Sequence, residues 1–206
     1  MTIVKRPYRS PLREAQAEAT RQRILEAGLA LFAERGYPGT SVAEIGRAAG
    51  VSTETVYASV GSKRGIIDAL LAQVDTLDIP DRARARMVAS GGDPRTSLEI
   101  LAELAAEFWS SNGTLVGVLR NGVGDPEIGE AWLARQAARR GLIRSLVASW
   151  PRGTRRRGLT VDTAADIAWA LTSDELFAAL VGLRGWSVKA YVAWTSDALV
   201  RELLAD

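Results

Sequence analysis

The chain of 206 residues contains no cysteine and no histidine. Without thiols it can form neither a disulfide nor a thiolate nucleophile. Without imidazoles it lacks the commonest general base and the commonest metal ligand, so a zinc site would need carboxylates alone. We therefore predict a protein that is not an enzyme and that holds neither a metal nor a cofactor.

Long apolar runs are also missing. No stretch approaches the ~20 apolar residues that a membrane-spanning helix needs. The segment from Met1 to Pro7 has no apolar run of signal-peptide length. We expect a cytoplasmic protein with no membrane association. Apolar residues still make up 47% of the chain, which suffices for a folded core.

Positive charge is concentrated at the N-terminus. The formal net charge is only +2, but residues 1–23 hold six basic residues against two acidic ones. Pro7 and Pro11, together with the lack of an apolar period, predict that residues 1–16 form a flexible basic arm. Such an arm is either a solvated tail or a segment that enters the minor groove of DNA.

The apolar pattern is helical rather than strand-like. No segment alternates convincingly as a strand would, whereas apolar residues recur at helical spacing along most of the chain. We predict an all-α fold with a helix-turn-helix domain of three to four helices over residues 17–77 and a larger helical domain over residues 78–206. The helices predicted in the larger domain lie near residues 81–89, 95–111, 114–122, 126–150, 161–184 and 188–204.

Residues 40–63 meet the requirements of a helix-turn-helix. Ser41 and Glu44 fit a capping box that starts the first helix. Gly46 is small enough for two helices to cross there, and Gly50 can adopt the positive φ of the turn. The apolar residues that would hold the helices together are Ile45, Ala49, Val51 and Val56. The second helix then projects polar residues outward, as a reader of the DNA major groove does.

Residues 17–77 resemble the DNA-binding domain of the TetR family of repressors. The segments that carry the resemblance are Thr20–Tyr37, Thr40–Ile45, Ala49–Tyr57 and Gly61–Lys63. They cover less than a third of the chain, and the remainder shares only length and helical character. The resemblance implies a ligand-responsive transcriptional repressor. It would bind a palindromic operator in double-stranded DNA as a homodimer, and a ligand in the C-terminal domain would change the separation of the two recognition helices.

The resemblance also assigns the DNA-binding residues by position. Phosphate contacts are assigned to Thr40, Ser41, Thr55, Tyr57 and Lys63. Contacts to bases or nearby phosphates are assigned to Thr53, Glu54, Ala58 and Ser59. Ser52, the predicted N-cap of the recognition helix, completes the predicted DNA-binding surface.

Several of these residues have a second interpretation. Glu54 stands where family members often carry glycine, and it either accepts a hydrogen bond from cytosine N4 or stabilises the start of its helix. Tyr57 packs between helices, contacts a phosphate, or does both. Lys63 is a phosphate ligand or a solvated lysine. Ser59 and Val60 stand where the family often has an aromatic pair.

The C-terminal part predicts a pocket and a dimer interface. The candidate pocket residues, which ordinary core packing would also explain, are Phe108, Trp109, Leu115, Val118, Trp132, Trp169 and Phe177. They suit a small apolar or amphipathic effector. The last two predicted helices carry broad apolar faces, which predicts a homodimer through residues 161–204.

Two alternatives to a ligand-responsive repressor stay open at this stage. The protein is either a ligand sensor or a DNA-binding regulator without a ligand, whose C-terminal domain only dimerises or docks a protein partner. A helical enzyme is the remaining alternative. It would have to work with carboxylates such as Asp174 and Glu175, because no other catalytic motif is present.

Overall fold

The computed structural model describes residues 11–75 and 79–205. Within these ranges the chain is helical, with one isolated antiparallel bridge between Arg155 and Leu204 and no strand. The prediction of an all-α fold is confirmed. The elements are α1 (Pro11–Arg35), α2 (Val42–Ala49), α3 (Thr53–Val60), α4 (Lys63–Asp75), α5 (Ile79–Ala89), α6 (Pro94–Asn121), α7 (Pro126–Ala148), α8 (Val161–Leu171), α9 (Asp174–Phe177), a π-helical segment (Ala178–Leu183) and α10 (Val188–Leu203).

The chain divides into two compact units, and the boundary in the sequence lies between Val74 and Asp75. In the first unit α1 packs against α2 and α3. Its core is formed by buried apolar side chains, and the largest fully buried ones are Ile24, Leu25, Phe32, Ile45, Ile66 and Ile67. Gly28 lets α1 and α4 approach closely, because a Cβ at this position would lie 2.9 Å from Ile66 Cγ2.

The start of α1 differs from the predicted arm over residues 1–16. Residues 11–16 are helical in the structure, and residues 1–10 lie outside the described ranges. Pro11 is suited to the first helical position, where a missing N–H is not needed. Glu14 lies in the first turn, where a carboxylate interacts favourably with the helix dipole.

Helix α6 corrects the break that the sequence predicts at residues 111–113. The helix is continuous from Pro94 to Asn121. Asn112 donates its side-chain N–H to the carbonyl of Phe108, one turn back, instead of capping a helix end. Leu115 and Val116 are buried on the following turn, so tertiary packing outweighs the low helix propensity of Gly113.

The single helix predicted over residues 161–184 is also wrong. Helix α8 ends at Leu171, and Ser173 caps a new helix by accepting a hydrogen bond from Leu176 N–H. The Thr172 hydroxyl donates to Ala168 O at 2.7 Å and so closes the end of α8. The chain then enters the π-helical segment, which is followed by α10.

In the second unit α8 packs against α7 and α10, and α10 packs against α6. One core cluster of this unit contains Leu98, Ala102, Ile143, Val147, Trp150, Ala164, Ala165, Ala168, Leu199 and Leu203. Within the part of the chain that the structure describes, no helix combines the length and the apolar character needed to cross a bilayer.

Candidate DNA-binding surface and C-terminal cavity

The turn between α2 and α3 has the geometry predicted for a helix-turn-helix. Ser41 and Glu44 form the capping box at the start of α2. Gly50 ends the helix with φ 69°, a left-handed conformation that favours glycine. A Cβ at Gly46 would lie 3.1 Å from Val51 O and 3.4 Å from Val56 Cγ2, so the two helices cross closely at this glycine.

Helix α3 buries one side and presents the other. Val56 is its buried residue, and Ser52 caps its N-terminus by accepting from Thr55 N–H at 3.2 Å. The exposed residues of the helix are Glu54, Tyr57 and Ala58. The partly exposed ones are Thr53, Thr55, Ser59 and Val60. The residues that the resemblance assigns to DNA on this helix therefore share its solvent-facing side.

The C-terminal end of α3 is held by a contact that the sequence does not reveal. Arg21 on α1 donates from Nη1 to the carbonyl oxygen of Ser59 at 2.8 Å. A cation at a helix C-terminus satisfies a free carbonyl and interacts favourably with the helix dipole. Arg21 thus positions α3, although nothing in the local pattern around either residue links the two.

Two predicted phosphate ligands make contacts inside the first unit. The Thr40 hydroxyl lies 2.9 Å from Gly36 O and 3.2 Å from Leu31 O, and Thr40 is only 3% exposed. Its side chain is therefore unavailable in this structure for the phosphate contact assigned to it. Lys63 Nζ donates to Tyr37 O at 2.7 Å and lies 4.1 Å from the centroid of the Tyr37 ring.

Lys63 is consequently part of the packing of the unit, and a phosphate contact would have to use its remaining N–H groups. Ser41 is exposed, but its hydroxyl donates to Glu44 Oε2 at 2.7 Å. Tyr57 is 52% exposed, so its ring is not buried between helices. Tyr37 supplies the buried aromatic ring instead, packing at 5.2 Å from Phe32.

The environment of Glu54 is that of a first-turn carboxylate. Its own backbone N–H lowers the pKa of the carboxyl, and the Ser52 hydroxyl lowers it further. Glu54 therefore stabilises the N-terminus of α3 in the structure. The contact to cytosine stays a prediction.

A cavity of about 200 Å³ lies within the second unit. It is lined by residues of α6, α9 and the π-helical segment: Trp109, Gly113, Val116, Gly117, Arg120, Asp174, Phe177, Ala178, Val181 and Gly182. Of the predicted pocket residues, Trp109 and Phe177 line this cavity. Phe108 and Trp132 pack against the cluster that contains Trp109.

The other predicted pocket residues lie elsewhere in the unit. Leu115 and Val118 are buried and do not line the cavity. Trp169 packs against the large core cluster, and its Nε1 donates to Gln136 Oε1 at 3.2 Å. For these three residues the structure favours core packing.

A buried polar network supports the cavity wall. Trp109 Nε1 donates to Thr172 O at 2.9 Å. Arg139 donates to the carbonyls of Trp169 and Thr172 and to the Thr172 hydroxyl, and its guanidinium lies 5.4 Å from the centroid of the Trp109 ring. Burial lowers the pKa of Arg139 to about 10, so the guanidinium stays charged at neutral pH.

Asp174 is the acidic group of the cavity. It is 5% exposed, and its Oδ2 accepts from Arg120 Nη1 at 3.0 Å. Burial, followed by the adjacent carboxylate of Glu175, raises the pKa of Asp174 to about 6. Arg120 lies 54 residues away in sequence, so no local signal predicts the pair. Among the described residues, no three acidic side chains come together to hold a metal ion.

A second, larger hollow of about 560 Å³ lies between α5, α6 and α7. Met87, Val88, Leu142 and Leu146 supply much of its apolar lining. Val88 is 72% exposed and Leu142 is 63% exposed, so this hollow is an open groove. The cavity beside Asp174 is the smaller of the two.

Known proteins share both the local motif and the whole fold. A family model described as bacterial regulatory proteins, tetR family, matches residues 24–70. The transcriptional repressor KstR2 of Rhodococcus jostii (strain RHA1) is 32% identical over 103 residues, 50% of this chain and 50% of that protein. The transcriptional regulator BetI of Burkholderia cenocepacia (strain HI2424) is 34% identical over 91 residues, 44% of this chain and 45% of that protein. The chain thus spans about half the length of these curated relatives.

A solved structure extends the likeness to nearly the whole chain. NalD of Pseudomonas aeruginosa, the secondary repressor of the MexAB-OprM multidrug efflux pump, superposes with a TM-score of 0.74 at 25% identity. The match covers 92% of this chain and 99% of that one. The fold and the exposed side of α3 define a helix-turn-helix protein with an all-helical C-terminal unit. Residues 24–70 in the first unit thus match the DNA-binding domain of tetR-family bacterial regulatory proteins.

Proposed function

We propose that this protein is a ligand-responsive transcriptional repressor that binds a palindromic operator as a homodimer. The observation that carries the proposal is the presentation of α3. A glycine turn, a capped N-terminus and a single buried residue leave the rest of the helix free to enter a major groove. The match of residues 24–70 to tetR-family bacterial regulatory proteins supports the same role.

The contacts to DNA are divided between the two short helices. The N-termini of α2 and α3, capped by Ser41 and Ser52, suit phosphate oxygens, because helix N-termini attract anions. Ala58 lies on the exposed side of α3, where base edges would be read, and the exposed Tyr57 would contact a phosphate. Phosphate contacts fix the register of the protein, and contacts to base edges give specificity.

Dimerisation is proposed through residues 161–204. Exposed apolar side chains are found in this region, although the core cluster that contains Leu98 and Leu199 already uses much of α8 and α10. Leu183 is 84% exposed, Val188 is 42% exposed and Trp194 is 37% exposed. Burying such side chains against a second copy would remove apolar surface from water.

The effector is proposed to bind the cavity beside Asp174. This cavity combines aromatic walls with a few polar groups, the usual composition of a small-molecule site. The rival without a ligand makes a different prediction, since filling the cavity would then leave DNA binding and its regulation unchanged.

The DNA-binding role is tested by a matched pair of substitutions. Ala58→Glu places a carboxylate on the exposed side of α3, and Ala33→Glu places the same group on an exposed position of α1. The operator is first obtained by selecting bound sites from random DNA. We expect Ala58→Glu to weaken operator binding by on the order of tenfold or more at low salt, because the new charge repels phosphates. Ala33→Glu should bind like the wild type, and equal affinities for the two variants would place DNA elsewhere.

A further inference from the structure

Three glycines border the cavity beside Asp174 without being needed for packing. Gly113 and Gly117 lie one turn apart inside α6, and Gly182 lies in the π-helical segment. A Cβ added at any of them would meet no heavy atom within 4 Å. Because this space is open, packing does not require glycine at these positions. Glycine also lowers helix stability relative to alanine. Their shared effect is to leave the cavity empty.

The Asp174 carboxylate in the cavity wall has one oxygen, Oδ1, that accepts no hydrogen bond from the described residues. This Oδ1 atom is buried. A buried carboxylate oxygen without a partner is costly. Arg120 reaches only the other oxygen. The neighbouring Glu175 adds a second carboxylate, so one partly exposed arginine faces two acidic groups.

The other charged groups near Asp174 do not supply the missing donor. Arg139 on α7 gives its N–H groups to the carbonyls of Trp169 and Thr172 and to the Thr172 hydroxyl. Tyr191 on α10 is fully buried, and burial raises the pKa of its hydroxyl, so it stays neutral. The site can therefore accept one more hydrogen-bond donor with a positive charge.

The walls of the cavity suit an apolar body attached to that donor. Trp109 and Phe177 present aromatic rings, and Val116 and Val181 add aliphatic surface. Aromatic faces attract cations as well as apolar groups. A volume of about 200 Å³ is similar to that of an apolar cavity of about 150 Å³ that holds benzene, so a ligand with a single ring fits.

We propose that this cavity binds a small organic cation, a protonated amine with a compact apolar body, whose nitrogen donates to Asp174 Oδ1. The inference rests on the proposed function, because it names the chemical class of the effector. Glu175 and Arg120 position the Asp174 carboxylate. Trp109 and Phe177 enclose the apolar part of the ligand.

The proposal is tested on the full chain with three probes of nearly equal size: benzylammonium, benzyl alcohol and benzoate. Isothermal titration calorimetry near neutral pH should show benzylammonium binding at least about tenfold more tightly than benzyl alcohol, with benzoate the weakest. The inference is overturned if benzyl alcohol or benzoate binds as tightly as benzylammonium, or if no probe binds at millimolar concentration.

The pH dependence gives a second measurement. A cation binds the ionised form of Asp174, whose pKa is about 6, so the affinity for benzylammonium should fall as the pH is lowered through 6. Benzylammonium itself stays protonated throughout. Benzyl alcohol carries no charge, and its affinity should change little. Equal pH dependence for both probes would contradict a role for the carboxylate.

Two substitutions test the Asp174 charge and the cavity volume separately. Asp174→Asn should abolish the preference for benzylammonium over benzyl alcohol. Gly117→Leu should fill the cavity and abolish binding of every probe. The matched control is Gly141→Leu on α7, an exposed helical glycine with open space around its Cβ position, which should bind the probes like the wild type. Retention of the benzylammonium preference by Asp174→Asn, or of binding by Gly117→Leu, would overturn the site.

The DNA-binding assay separates failure of this inference from failure of the proposed function. If benzylammonium binds as expected but leaves operator affinity unchanged, the cation site stands and ligand-responsive repression is wrong. If the protein binds its operator and none of the probes, the cation site is wrong and the DNA-binding role stands.

Discussion

Lys63 shows that a side chain predicted to contact a phosphate can also have a partner inside the protein. Its position at the start of α4 predicts a phosphate ligand, but Nζ donates to the Tyr37 carbonyl and lies over the Tyr37 ring. Thr40 behaves similarly, since its hydroxyl contacts carbonyls of the preceding turn. Spacing in a sequence indicates which residues are near a surface. It does not show the path of the backbone whose carbonyls compete for them.

We expect Lys63→Met to lower the free energy of unfolding by about 2 kcal/mol. The charged hydrogen bond to Tyr37 and the contact with its ring are both lost. Chemical denaturation followed by circular dichroism measures the change. Arg23→Met is the control, because Arg23 is exposed and its one side-chain contact is a 3.3 Å hydrogen bond to Thr20. It should change stability by less than about 0.5 kcal/mol.

If the two variants were equally stable, the contact between Lys63 and Tyr37 would contribute nothing. The salt dependence of DNA binding addresses the separate role at phosphate. Loss of one phosphate contact per protomer lowers the salt slope by about 1 per protomer, which is about 2 for the dimer. An unchanged slope for Lys63→Met would assign Lys63 to packing alone.

At the scale of elements, the features that depend on a few adjacent residues were predicted correctly. Those that depend on contacts with other helices were not. The capping box at Ser41 and the turn at Gly50 require only local chemistry, and both are confirmed. The continuity of α6 across Gly113 depends on packing of the flanking turns. The break between α8 and α9 depends on Thr172, which receives Arg139 from a different helix. Such contacts have no signature in the segment itself.

Gly113 inside α6 and Gly122, which follows the helix, should respond to alanine with opposite changes in stability. Gly113→Ala should raise the free energy of unfolding by about 0.5–1 kcal/mol, because alanine is the better helix former and its Cβ has open space. Gly122→Ala should lower it, because the Cβ would lie 2.7 Å from Ile128 Cγ2 and 3.0 Å from Val118 O. Thermal unfolding of both variants measures the difference. A destabilised Gly113→Ala would mean that the space beside Gly113 is occupied.

For the whole molecule, the all-helical fold follows from the pattern of apolar residues, and the likeness to tetR-family regulators follows from the segments around the helix-turn-helix. The cavity is predictable only in part. Trp109 and Phe177 were identified because they are large and aromatic. Asp174 and Arg120 were not identified as a binding pair, since only the folded chain brings α6 and α9 together.

The proposed dimer interface is tested by introducing a positive charge at one of two exposed leucines. Leu183→Lys should shift the protein toward monomer at micromolar concentration, because a lysine in a buried apolar interface is left unpaired. Leu133→Lys is the control, since Leu133 is 65% exposed and lies on α7, outside residues 161–204. Sedimentation velocity measures both. A monomeric Leu133→Lys beside a dimeric Leu183→Lys would move the interface to α7.

The π-helical segment also links two surfaces through one rotation. An α-helix turns by about 100° per residue, whereas the wider π-helical turn accommodates an additional residue. Tightening Ala178–Leu183 to α-helical geometry would therefore swing Leu183 around the helix axis by about that angle. Val181 faces the cavity and Leu183 faces solvent within the same segment. A ligand that binds one helical geometry of this segment more tightly than the other would therefore rotate the exposed side chain of Leu183 around the helix axis.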